Sequence, residues 1–257
     1  MTTLARLVTL VCGLIAVALV VGGSANALDL LSWDSETRTA SYPSVRRILV
    51  VNDAGAVTLE RSPDRAVHVR TELRRGLTAP DERHALQDGG RVLRLDASCT
   101  AIFSNACRVA YRVQVPDGLP VDVRSSSHGI SASGLDLGTA VLRLESSAGG
   151  IDVQDVTAGP VRLSSSAGGV RADGLDSGDV EVTSSAGGVD LDLVGDLRTL
   201  KAESSAGGVR LVVPDLVYAV DASSSAGSTD VQVRQDPSSA RRIDARSSAG
   251  SVRVRRR

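Results

Sequence analysis

Ser146-Ser147-Ala148-Gly149-Gly150-Ile151 returns as Ser165-Ser166-Ala167-Gly168-Gly169-Val170, as Ser184-Ser185-Ala186-Gly187-Gly188-Val189 and as Ser204-Ser205-Ala206-Gly207-Gly208-Val209. Two looser copies follow, Ser224-Ser225-Ala226-Gly227-Ser228-Thr229 and Ser247-Ser248-Ala249-Gly250-Ser251-Val252, and the spacings between first serines run 19, 19, 20, 20 and 23. A weaker copy, Ser125-Ser126-Ser127-His128-Gly129-Ile130, precedes the set by one further period, and Asn52-Asp53-Ala54-Gly55-Ala56-Val57 fits the same template. A period near twenty is too short for paired helices and suits a coil of short strands.

Within a copy the hydrophobicity alternates with period two. Val180, Val182, Ser184 and Ala186 face one way, and Glu181, Thr183 and Ser185 the other, which predicts a strand with one buried face. After the glycines the alternation restarts with Val189, Leu191 and Leu193 inward and Asp190 and Asp192 outward, so each repeat holds two strands joined at a glycine corner. The fold class read from this pattern is all-β: a single-stranded β-solenoid, parallel β-helix-like, with coils of about twenty residues. Stacking aligns the first serines in one column and the alanines in a second. Each buried Val or Leu then contributes roughly 1.5–3 kcal/mol, and one repeat cannot cover its own apolar face without neighbours. Gly149, Gly168, Gly187, Gly207, Gly227 and Gly250 mark the corners, where a positive φ or a close backbone approach would require the missing Cβ. At about 4.8 Å per coil, residues 125–257 would form a rod on the order of 30 Å long.

Upstream, Met1–Arg6 carries one positive charge, Leu7–Val21 is almost continuously apolar, and Ala25-Asn26-Ala27 has the small-x-small form that signal peptidase accepts. Residues 1–27 read first as an export signal cleaved after Ala27 and alternatively as an uncleaved membrane anchor; both place the rest of the chain outside the cytoplasm. Residues 28–42 read as a tether. Residues 43–124 are less regular but alternate in Ile48–Val51, Ala66–Arg70, Arg91–Leu95 and Cys107–Val115, as broader first coils would. The charged, Pro80-containing stretch 76–90 reads as an exposed loop with a helical turn at 81–86. This head would cover one end of the regular solenoid, residues 125–257, and Arg255-Arg256-Arg257 would discourage strand pairing at the other.

With 42% hydrophobic and 23% charged residues the chain has the composition of a folding protein, yet only 2% are aromatic, so small aliphatic side chains must fill a thin interior. A formal net charge of −1 supplies no field for nucleic acid. Membrane contact is expected only through the amino-terminal segment. Of three cysteines, Cys12 lies in the apolar leader, which leaves Cys99 and Cys107. A local disulfide is the natural reading, two buried thiols the bland one, and Cys-x7-Cys without a nearby His is not a zinc spacing.

Catalysis finds little support. His68, His84 and His128 are scattered, and His128 occupies a corner position where Gly149 stands in the next copy. Asp152, Asp173, Asp190 and Asp192 are the carboxylates by which a solenoid could cleave polysaccharide, but Arg171 and Arg210 share their register and suggest a solvated, charge-mixed face. No Gly-Gly-x-Gly-x-Asp calcium motif occurs, and no metal or cofactor is expected. Stacked aromatic platforms for sugars are missing, since Tyr218 is the only aromatic after Tyr111. Arg241, Arg242, Arg246, Arg253, Arg255, Arg256 and Arg257 make the carboxyl end basic, either as a solubilising cap or to meet anionic wall polymers or headgroups.

Val113-Gln-Val-Pro116-Asp-Gly118, then Val121-Asp-Val123 and the run of Ser-Ser-Ala-Gly-Gly-Val copies, resemble the bacterial domain-of-unknown-function family labelled putative adhesin, over about residues 41–257. Val51–Val57 and the Cys99, Cys107 pair look like its variants in high-GC Gram-positive bacteria, which often carry an amino-terminal membrane segment. The resemblance implies a β-helical envelope protein without established catalytic residues. The expectation is therefore a non-catalytic module on the extracellular face of the membrane or in the envelope, acting in adhesion, protein contact or a structural role on a protein or wall-polymer ligand. The alternatives are a solenoid enzyme acting on wall or extracellular polysaccharide, and an envelope-stress accessory protein.

Overall fold

A computed structural model describes residues 34–75, 79–99 and 107–257; the segment read as a signal or anchor, residues 1–27, and the start of the tether lie outside the described residues. The described residues contain 22 strands and no helix, arranged in two eleven-stranded, mostly parallel sheets. Each repeat supplies one strand to each sheet and bends at the glycine corner between them. β14 (Asp179–Ser184) runs to the corner and β15 (Val189–Leu193) leaves it. The same holds for β8 (Val121–Ser125) with β9 (Ile130–Ser133), β10 (Leu142–Ser146) with β11 (Ile151–Gln154), β12 (Pro160–Ser165) with β13 (Val170–Leu175), and β16 (Thr199–Ser204) with β17 (Val209–Val213).

The parallel register sets like residues over like. Ser125, Ser146, Ser165, Ser184 and Ser204 align on one sheet, and Ile130, Ile151, Val170, Val189 and Val209 on the other. The interior is a continuous aliphatic column. Leu135, Leu137, Val156, Ala158, Leu175 and Leu197 close its third side, and all are buried. The alternation holds only as far as the first serine. Ala148, Ala167, Ala186 and Ala206, expected on the inner face, are exposed, because the bend that turns the corner swings the chain outward.

Chain order and spatial order part company at both ends. β21 (Arg242–Ser247) lies between β16 and β18 (Val217–Ser224), and β22 (Val252–Arg256) between β17 and β19 (Thr229–Gln232), so the last coil of the chain is the penultimate layer. The serines expected to pile up in sequence order instead run Ser204, Ser247, Ser224. Burial explains the exchange. Ile243, Ala245, Val252 and Val254 are each no more than 1% exposed, whereas the outermost coil offers Val220, Ala222, Thr229 and Val231 in the matching positions, none of them fully covered. The more apolar copy takes the inner place. The two-residue β20 (Arg234–Gln235) borders β18 at this edge.

At the other end β2 (Arg47–Asn52) and β3 (Val57–Arg61) stack on β8 and β9, with Asn52 opposite Ser125 and Val57 opposite Ile130. The early template match is thus the adjoining coil, although several strands intervene in the chain. β6 (Val92–Ser98) and β7 (Arg108–Val115) follow, and three antiparallel strands complete the cap: β4 (Val67–Arg75), β1 (Asp34–Tyr42) and β5 (Asp81–Gln87). Two expectations need correction here. Asp34–Tyr42, read as part of the tether, pairs with β4 along its whole length, and Asp81–Gln87, read as a loop with a helical turn, pairs with β6. Both are charge-rich edge strands whose ladder overrides their composition. Cys99 and Cys107 are joined, Cα atoms 6.0 Å apart, at the ends of β6 and β7.

Candidate functional site

The corner is built by one hydroxyl used twice. Ser184 Oγ donates to the Gly168 carbonyl of the preceding coil at 3.0 Å and accepts from the Gly187 N–H of its own corner at 3.0 Å. Ser165, Ser204 and Ser247 repeat the pair of bonds with Gly149 and Gly168, Gly187 and Gly207, and Gly207 and Gly250. Ser146 reaches the His128 carbonyl in the same way. Asn52 replaces the serine in the coil below and is fully buried, with Nδ2 donating to the Gly55 and Val109 carbonyls. A buried hydroxyl thus both satisfies the bend and ties it to its neighbour.

The two glycines of each pair do different work. None of the six corner glycines Gly149, Gly168, Gly187, Gly207, Gly227 and Gly250 has a positive φ, so close approach is what demands glycine. A Cβ on Gly187 would lie 2.3 Å from Gly169 N and 2.5 Å from Gly168 C, backbone atoms of the next layer. The second glycines are looser. A Cβ on Gly188 would stand 3.2 Å from Gly208 O, and Ala56, Ser228 and Ser251 occupy that column with side chains of their own.

Second glycines floor a shallow groove of about 680 Å³ that runs along the stack past Gly129, Gly150, Gly169, Gly188, Gly208 and Ser251. The carbonyls of the last five accept the following-strand amides of the neighbouring coil at 2.9–3.0 Å. Their own N–H groups have no protein acceptor among the described residues. One wall is the first outward row of the β15 sheet, in register Asp152, Arg171, Asp190, Arg210 and Arg253. Asp190 sits between Arg171 at 3.9 Å and Arg210 at 3.0 Å, while Asp152 and Arg253 form no ion pair among the described residues.

Of the other carboxylates weighed for polysaccharide cleavage, Asp173 lies opposite Gln154, and Asp192 faces Arg257 at 3.5 Å. Asp190 and Asp192 share the outward face of β15, and each faces an arginine, Asp190 Arg210 and Asp192 Arg257. The histidines are separate: His68 pairs with Asp64 at 2.9 Å, and His128 meets Ser127 Oγ at 2.8 Å. Burial, then the Arg108 charge, holds the His128 pKa below its usual value. Among the described residues no group of three or more His, Cys, Asp or Glu side chains could hold a metal ion.

Sequence reasoning missed a buried polar cluster in the cap. His84 Nδ1 meets Tyr42 Oη at 2.7 Å, His84 Nε2 meets Glu82 at 2.6 Å, and Tyr111 Oη bridges Glu82 at 3.3 Å and the Asp96 carbonyl at 3.1 Å. The His84 hydrogen bond holds the Glu82 carboxyl below its ordinary range despite burial, and burial pushes the Tyr111 phenol upward. The only signal was a His and two tyrosines in strands of an aromatic-poor chain. These strands belong to different sheets, so the cluster closes the end of the interior.

The carboxyl-terminal arginines are not a tip, and five of the seven are paired, Arg257 with Asp192 and four more within the last coils, while Arg242 and Arg253 form no ion pair among the described residues. Because the last coil lies inside the stack, Arg246 meets Asp221 at 3.0 Å, Arg255 meets Asp230 at 3.7 Å, Arg256 meets Asp215 at 4.0 Å and Arg241 meets Asp196 at 2.9 Å. Arg255-Arg256-Arg257 therefore does not guard the outer edge.

The sequence profile described as Toastrack DUF4097 matches residues 47–256. No curated protein matches the chain. Among solved structures, a putative cell adhesion protein from Clostridium sporogenes is 10% identical, covering 88% of this chain and 100% of that one, with a TM-score of 0.39. A putative adhesin from Parabacteroides merdae is 8% identical over 85% and 96% of the two chains, TM-score 0.44, and one from Parabacteroides distasonis is 12% identical over 86% and 97%, TM-score 0.39.

Proposed function

The chain belongs to the Toastrack DUF4097 family, and on that footing we propose that it is a non-catalytic interaction module of the cell envelope. It is exported, and its coils form a β-solenoid of about twenty residues per turn that serves as a rigid display surface. One observation carries the reading: the glycine corners repeat in register past Gly129, Gly150, Gly169, Gly188, Gly208 and Ser251, giving an extended open groove of mixed polar and apolar lining rather than a closed pocket. The Cys99–Cys107 disulfide supports an oxidising compartment. Arg171 and Arg210 on either side of Asp190 give the groove wall the charge-mixed character of a solvated binding face.

The test is to incubate the purified full chain with isolated envelope fractions and with soluble wall polysaccharides, and to measure both retention and release of reducing ends. Retention without bond cleavage is expected. Steady release of reducing ends would replace the proposal with the solenoid-enzyme reading.

A further inference from the structure

Resting on that reading, we infer that the corner groove binds an uncharged, extended linear glycan lying along the stacking axis. Adjacent coils are about 4.8 Å apart, so the groove from Gly129 to Ser251 presents its groups at intervals of about 4.8 Å over roughly 24 Å. A polymer can use such a row only if its own repeat matches. Successive side chains on one face of an extended peptide stand two residues apart, well beyond the coil spacing, and fall out of step within two coils. In an extended β-1,4-linked hexose chain successive sugars are turned over, so like faces recur every second sugar, close to the two-coil period at which Asp152 and Asp190, and Arg171 and Arg210, recur.

The chemistry of the groove selects the same class. Gly150, Gly169, Gly188 and Gly208 are exposed and their N–H groups have no protein acceptor among the described residues, and the wall alternates carboxylate and guanidinium through Asp152, Arg171, Asp190 and Arg210. A partner must therefore accept at every coil and also donate where the wall carries Asp152 or Asp190. Hydroxyl groups do both, whereas a polyphosphate offers acceptors only and leaves the carboxylates of Asp152 and Asp190 without a donor. Stacking plays no part, since Tyr218, the single aromatic beyond Tyr111, is buried. Affinity then comes from many weak contacts in a row, and chain length is the variable to read.

Calorimetric titration of the full chain with β-1,4-linked oligomers of glucose, mannose and N-acetylglucosamine, two to eight sugars long, tests this. For at least one series, affinity should rise with each added sugar and level off at about five or six, the number of coils that line the groove. The Asp152→Ala/Asp190→Ala variant should keep its unfolding midpoint and lose about tenfold, about 1.4 kcal/mol, for the hexamer. Gly169→Asn, which places a side chain on the floor, should weaken long oligomers and leave dimers unaffected. Absence of binding by all three hexamers, or affinity independent of length, overturns the inference. Tighter binding of polyphosphate than of any neutral hexamer overturns it too, and in each case retention by envelope fractions would leave the proposed function standing.

Discussion

Replacing Ser184 with alanine takes one oxygen from the middle of the corner ladder and leaves the outline of the coil unchanged. Ser184 is 3% exposed and holds two bonds, to Gly168 O and from Gly187 N, both at 3.0 Å. A protein hydrogen bond is worth about 0.5–1.5 kcal/mol net, and a group left unpaired in a buried place costs about 1–3 kcal/mol. Both orphaned groups belong to half-buried glycines that water can partly reach, so Ser184→Ala should cost about 2–3 kcal/mol. For a chain of this size that lowers the unfolding temperature by roughly 4–12 °C. Ser185→Ala is the matched control, because that exposed hydroxyl makes no hydrogen bond among the described residues, and its effect should stay within about 0.5 kcal/mol. Ser224 in the outermost coil makes only the bond to Gly250 O, at 2.7 Å, so Ser224→Ala should cost about half as much as Ser184→Ala. Urea unfolding followed by circular dichroism ranks the variants. Equal midpoints for the Ser184 and Ser185 variants would refute the double role of the first serine.

The corner glycines, the disulfide and the cap cluster each give a further expected outcome. Gly187→Ala should cost about 3 kcal/mol or more, since its Cβ would meet backbone on the next layer, whereas Gly188→Ala should cost less than about 1 kcal/mol; thermal unfolding of the pair checks the distinction between the two glycine columns. Reduction of Cys99–Cys107 opens a short loop at the cap and should remove about 2.5 kcal/mol, read as faster amide exchange in β6 and β7 than in β14 and β15. Glu82, whose folded pKa is depressed first by its bond to His84, contributes stability above its unfolded value of 4.5 and loses it as the pH falls through the lower folded value. The stability gap between the native protein and Glu82→Gln should therefore narrow below about pH 4.5, and a gap constant down to about pH 2 would exclude the cluster as the cause.

The stack was legible because its signal is redundant: the same alternation and the same corner recur, and each copy restates which face is buried. The register of Asn52 with Ser125 was legible for the same reason, although the strands of the cap separate the two in the chain. The charged edge strands were not. Asp34–Tyr42 and Asp81–Gln87 have the composition of exposed segments, and only a partner ladder makes them strands. The inward reading of Ala186 failed because strict alternation was carried past the point where the chain bends. The groove was half legible: Asp190 with its arginines could be placed in one row, but the split of labour within each Gly-Gly pair depends on how closely the next layer lies, which no single copy encodes.

The exchange of order at the carboxyl end was written in the sequence as a difference between two copies. Thr229 stands where Val252 stands in the following copy, and Val220 where Ile243 stands, so the later copy is the better interior layer. Its consequence reaches beyond packing. In the larger sheets β18 and β19 stack on β21 and β22 alone, with only the two-residue β20 beyond. The outer coil therefore has no ladder to join until Arg242–Arg256 is in place, although it precedes that segment in the chain. The final residues are held from both sides, by Arg257 N to Val213 O at 2.9 Å and by Arg255 against Asp230 at 3.7 Å. The outer coil depends wholly on the inner one, which itself stacks on β16 and β17, so in a stack where every layer relies on its neighbours the last two coils form one cooperative unit.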